Sequence, residues 1–299
     1  MLDIYDLSPV TLARNEPNEI VGSAFAALRP GMFPSQAGDS FLKDWAQAVT
    51  VSELKQGNRD RVAARPKHFV RDGLRRSIGQ SILRRNRLRN RIGLAYPTIR
   101  GNEWRLPPWY LKGNRQGDIL HVYKILQNPY WMKALLESDY SVKVVHNIRR
   151  PEEYLASWYR RYLATKSEEE VNACNKEILS AVAEQDEHWR GRWGDLQSMD
   201  VIQTEMLIWL YTNETIYIHG RDKPNYMVVF YHEVEDDCVR ASRALYDFAG
   251  LQWDTGVGAA ANLMENKLFT KKAPLDQEVA EKIARVVDGT SLRMPLESS

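Results

Sequence analysis

The chain has 299 residues, with 41 Lys and Arg against 39 Asp and Glu, a net charge of +2, and 43% hydrophobic and 27% charged residues. That length can bury a sizeable core and the mixture excludes a disordered chain, while the near balance of charge argues against a dedicated nucleic-acid binder. No run of about 18 apolar residues exists, which excludes a helical membrane span; the two cysteines, Cys174 and Cys238, stand at no metal-ligand spacing, so two reduced thiols and no metal are expected.

Residues 20–28 and 41–51 read as helices. A basic stretch, 59–100, follows, with clusters at Arg75-Arg76 and Arg84-Arg85-Asn86-Arg87. Its apolar positions, Leu74, Ile78, Ile82, Leu88 and Ile92, can line one helical face. Three readings stay open for it: a solvated arginine face, a surface for an anionic ligand, or a nucleic-acid contact. Trp104, Pro107, Pro108 and Trp109 mark a loop. Residues 118–125 alternate His121, Tyr123 and Ile125 against Leu120, Val122 and Lys124, as a strand does. A lysine at a strand end, such as Lys124, is ordinarily a solvated charge.

Residues 141–159 carry the strongest signal. Val142, Val144, Val145 and Ile148 read as a buried strand, Arg149-Arg150 follow, and Pro151 opens a helix with Glu152 and Glu153 in its first turn. Arg149 and Ser157 are eight residues apart. In a strand–loop–helix unit that spacing lets both reach one point above the strand's carboxyl end, where open α/β sheets bind ligands. A guanidinium and a hydroxyl converging there suit a phosphate. The plain alternative is a strand and an amphipathic helix with surface arginines.

Residues 168–193 read as one or two helices, and 204–218 as an apolar helix in which Met206, Leu207, Trp209, Leu210 and Ile216 form a broad buried face. Residues 226–231, YMVVFY, fit a buried parallel strand. His232 to Asp237 lead into a helix through Ala241, Leu245 and Phe248, for which Gly250 is a C-cap. Residues 276–287 form an amphipathic tail helix with Val279, Ile283 and Val287 on one face. The order of elements implies an α/β fold, a mostly parallel sheet flanked by helices on both faces. One domain over 1–299 is expected, with the basic helical insertion at about 59–100.

The strand, Arg149, Pro151 and Ser157 together resemble the 3′-phosphate motif of the sulfotransferase family, which moves a sulfuryl group from PAPS (3′-phosphoadenosine 5′-phosphosulfate). Tyr231, Glu233, Val234, Asp237 and Phe248-Ala249-Gly250-Leu251 are similar to a second family pattern, a strand, then Y-E-D-L-x-x-D, then a helix ending F-L-G-L, with His232 in place of the first acid. No catalytic role attaches to that segment; it holds a strand and helix together. Lys124 matches the lysine that ends the strand before the 3′-phosphate strand, and residues 8–17 resemble the family's second strand, with Glu16 at a position where some relatives carry the base. A helix-entry acid is the equal alternative for Glu16.

The resemblance implies a P-loop NTPase-like sulfotransferase fold, PAPS as the sulfuryl donor, Arg149 and Ser157 on its 3′-phosphate, and Lys124 and Glu16 as catalytic residues. The acceptor is a hydroxyl or amine of a small molecule or glycan. The family's first strand and its Ser-Gly-Thr-Thr-like loop for the 5′-phosphosulfate have no counterpart. Asp288-Gly289-Thr290-Ser291 is a superficial likeness, better read as a helix C-cap at Gly289. The expectation is an N-terminally truncated member that binds PAPS weakly in this form. With no leader pattern at its start, a cytoplasmic location is expected, an upstream membrane anchor staying open. Two other readings remain: a catalytically inactive relative that binds, and a nucleic-acid module built on the arginine segment.

Overall fold

The computed structural model describes residues 2–5, 8, 10–15, 120–124, 129–137, 142–162, 166–268, 277–287 and 292. The predicted helices at 20–28 and 41–51, the basic stretch 59–100, the Trp/Pro loop, Glu16 and residues 288–291 lie outside them. In chain order the elements are α1 (Leu2–Tyr5), β1 (Thr11–Asn15), β2 (Leu120–Lys124), α2 (Pro129–Glu137), β3 (Val144–Ile148), α3 (Pro151–Tyr162), α4 (Glu168–Gln185), α5 (Val201–Gly220), β4 (Tyr226–Phe230), α6 (Tyr231–Asp236), α7 (Cys238–Ala249), α8 (Thr255–Leu268) and α9 (Gln277–Val287). A 3₁₀ turn, Leu196–Ser198, precedes α5.

The fold is α/β and mostly helical. Among the described residues the strands form two separate two-stranded pairs, both parallel: β1 with β2, from Thr11↔Leu120 to Asn15↔Lys124, and β3 with β4, from Val144↔Tyr226 to Ile148↔Phe230. Parallel pairing needs a crossover, and between β3 and β4 it is supplied by α3, α4 and α5. Two compact units emerge. One holds α1, β1, β2 and Ser242–Leu263; the other holds residues 127–241, with β3 and β4, and α9.

In the first unit, α1 is tied to α7 by two tyrosines that bond reciprocally. Tyr5 OH donates to the Leu245 carbonyl at 3.3 Å, and Tyr246 OH donates to the Ile4 carbonyl at 2.9 Å. The two rings stack at 6.3 Å. Gly250 ends α7 as its sequence position suggests. It sits at φ +71°, Leu251 N–H bonds the Tyr246 carbonyl and Gly250 N–H bonds the Asp247 carbonyl, the paired bonds of a Schellman cap.

In the second unit, α5 is the central element. Most of its side chains are buried, polar ones included, because it packs against α2, α3, α4, α9, β3 and β4. Its start is fixed by a capping box, Asp200 with Gln203. α4 begins with another, Ser167 with Glu170, and buries Val171, Asn175, Leu179 and Val182 on one stripe. After α4 the chain turns through Trp189 and Trp193, whose rings stack at 4.8 Å and meet Tyr211 of α5 edge-on. α9 lays Ile283, with Val279 and Val286 beside it, onto this core, and Lys282 bonds Asp200 at 2.8 Å. Burial opposes ionisation of Asp200, but that lysine and the Gln203 and Ile202 amides outweigh it and hold its carboxyl below the ordinary value.

Candidate anion site at the ends of β3 and β4

β3 reads VVHNI. Val144, His146 and Ile148 are buried while Asn147 is exposed, the two-residue alternation of a strand with one covered face. Its inward histidine is held at both nitrogens. Asn213 on α5 gives its amide NH₂ to the Trp209 carbonyl at 2.7 Å, so its oxygen faces His146 Nε2 at 3.1 Å and accepts from it. Nδ1 therefore accepts from Tyr226 OH of β4 at 2.8 Å. Burial pushes His146 down to about 4, with the Asn213 bond opposing, so the ring is neutral near pH 7. Burial also raises the Tyr226 hydroxyl well above its ordinary range.

Arg149 is the first residue beyond β3. Tyr231 is the first beyond β4. The register brings Ile148 opposite Phe230, and the two next residues meet there: the Arg149 guanidinium lies 4.2 Å from the centre of the Tyr231 ring. A cation over an aromatic face is held without being neutralised, and Arg149 has no carboxylate partner among the described residues. Arg149 and Ser157 are both half-buried, and neither is lodged in the apolar core.

α3 starts where its proline predicts. Tyr154 N–H bonds the Arg150 carbonyl at 2.9 Å, closing the first turn. Pro151, Leu155 and Trp158 form its buried face, and Ser157 flanks it. The helix is also pinned by a polar contact. Tyr154 OH donates to Glu205 Oε1 of α5 at 2.5 Å, and Asn175 of α4 donates to Glu205 Oε2 at 2.9 Å. Glu205 is 3% exposed. Burial lifts its carboxyl to about 7 against the pull of its two donors. The strand and the helix that carry Arg149 and Ser157 are thus each tied to α5 by one buried polar group, His146 and Glu205.

Lys124 is the last residue of β2, half-buried, paired in register with Asn15, and belongs to the other unit. Glu16, next after Asn15, lies outside the described residues. The sequence reading missed Tyr231 as the seat of Arg149, and it missed His146 and Glu205. A histidine inside an apolar strand and a glutamate inside an apolar helix were the available signals. The predicted strand at 226–231 ends one residue early, because Tyr231 already begins α6. There the Glu233 carboxylate accepts from Phe230 N–H at 3.0 Å and turns the chain into helix.

Among the described residues no group of His, Cys, Asp or Glu could hold a metal ion, and no helix is long and apolar enough to cross a membrane. Cys174 is exposed and Cys238 buried, both as thiols. Comparison of this chain with protein-family models, with curated proteins and with solved structures finds no match.

Proposed function

We propose that this chain is a sulfotransferase-like protein of the P-loop NTPase-like fold that takes the 3′-phosphate of PAPS at the junction of β3 and α3. The observation that carries the reading is Arg149, half-buried over Tyr231 at the adjoining ends of two parallel strands, with no carboxylate partner among the described residues. Ligands of α/β sheets gather at carboxyl strand ends. A guanidinium held by a ring keeps its N–H groups for a phosphate. The first turn of α3 adds backbone N–H groups and the positive end of its dipole, and Ser157 adds a hydroxyl.

In the reaction so proposed, an acceptor hydroxyl or amine attacks the sulfur in line. The bond between sulfur and the 5′-phosphate oxygen breaks, and adenosine 3′,5′-bisphosphate leaves. The family resemblance assigns the acceptor's proton to Glu16 and the charge on the leaving phosphate to Lys124. Positioning and electrostatics supply most of such a rate enhancement.

The test is calorimetry with adenosine 3′,5′-bisphosphate. Arg149→Ala is expected to weaken binding by tenfold or more, since hydrogen bonds to charged groups contribute about 1.5–3 kcal/mol. Ser157→Ala should weaken it less. An unchanged affinity in Arg149→Ala rejects the site.

A further inference from the structure

His232, which follows Tyr231, is 6% exposed, and neither Nδ1 nor Nε2 finds a hydrogen-bond partner among the described residues. Its ring leans on Phe230, centre to centre 5.8 Å. A neutral imidazole has one N–H to donate and one nitrogen to accept, and leaving both unmet in an interior is costly. His146, buried to the same degree, has both nitrogens occupied, so this fold does satisfy a histidine it uses for structure. Nor does the strand-to-helix turn need an imidazole at 232, because the Glu233 carboxylate makes that cap. A phenyl ring would fill the same space without stranding a polar group.

The second observation is position. The Tyr231 ring beneath the Arg149 guanidinium is the adjacent residue. His232 therefore follows directly on the residue whose ring seats Arg149 at the joined ends of β3 and β4. A group with one donor and one acceptor, unmet within the fold and one residue along from the ring that seats a cation, is fitted to a ligand offering an anionic oxygen and a hydroxyl. A ribose phosphate offers both.

We propose that His232 is a nucleotide-binding residue, donating to a phosphate oxygen and accepting from a ribose hydroxyl of the nucleotide that Arg149 holds. The proposal rests on the reading of Arg149 as a phosphate site, and the test separates the two. Wild type, Arg149→Ala and His232→Phe are titrated calorimetrically with adenosine 3′,5′-bisphosphate, and each is unfolded in urea without ligand. His232→Phe is expected to bind at least tenfold more weakly while being as stable as wild type or more so, because an apolar ring replaces an unmet polar one. If His232→Phe binds as wild type while Arg149→Ala does not, the inference falls and the arginine site stands. If Arg149→Ala binds as wild type, or wild type does not bind, both fall. A His232→Phe protein that is markedly less stable without ligand shows an imidazole partnered inside the fold and also overturns the inference. Should that variant not fold, the ring ¹⁵N signals of His232 in wild type decide. They shift on saturation with the bisphosphate if the ring binds it, and stationary signals reject the idea.

Discussion

Replacing Glu205 by Gln isolates the cost of the buried carboxyl behind α3. Glu205 is 3% exposed, its oxygens meet the neutral donors Tyr154 and Asn175, and burial lifts it from about 4.5 to about 7. A carboxyl whose folded value is raised binds its proton more tightly in the folded state. Stability is then full below about pH 4.5 and is lost as pH rises through about 7. The difference corresponds to roughly 3 kcal/mol, at about 1.4 kcal/mol per tenfold in proton affinity. Glutamine has the shape of the protonated acid and keeps an oxygen for Asn175 and an NH₂ for the Tyr154 oxygen, yet never ionises. Glu205→Gln should match wild type at pH 4.5 and exceed it by a margin that grows to about 3 kcal/mol by pH 8. Urea unfolding followed by tryptophan fluorescence reads this unit directly, since Trp189, Trp193 and Trp209 are in its core. Taking the difference between the two proteins at each pH cancels every other titrating group. A difference that stays flat between pH 5 and 8 would mean that Glu205 does not change charge there, and the account of the network would be wrong.

His146 works in the opposite direction. Its folded value is lowered to about 4, so its contribution is whole above about pH 6.5 and is lost as pH falls toward 4. His146→Gln should remove roughly 3 kcal/mol of acid lability over that window, measured as the pH dependence of the urea midpoint; an unaltered dependence counts against the buried neutral imidazole. The two groups partly offset each other in wild type, so single variants reveal what the native pH profile conceals. Gly220 ends α5 against the Tyr226 ring, where an added Cβ would stand 2.3 Å from Cδ2. Gly220→Ala should cost about 1–3 kcal/mol through overpacking and disturb the Tyr226–His146 bond; full stability by urea unfolding would contradict the close approach.

The local features were legible because each depends on neighbours within a few residues. Pro151 opens α3, Gly250 closes α7, and the apolar run from Met206 to Leu210 marks a deeply buried helix. The order of strands and helices along the chain implied parallel strands, and both pairs among the described residues are parallel. The tertiary structure alone decided which polar residues are interior. Glu205 bonds Tyr154, 51 residues away, and His146 bonds Tyr226, 80 residues away. The local pattern offers no more than an apolar run around each, since the desolvation and the partners come from distant segments. Tyr231 shows the same limit. Its sequence position marks the end of a strand, but only the pairing of β3 with β4 puts its ring under Arg149. Periodicity and capping act along the chain, whereas the charge state and availability of a side chain are set by whatever the fold packs around it.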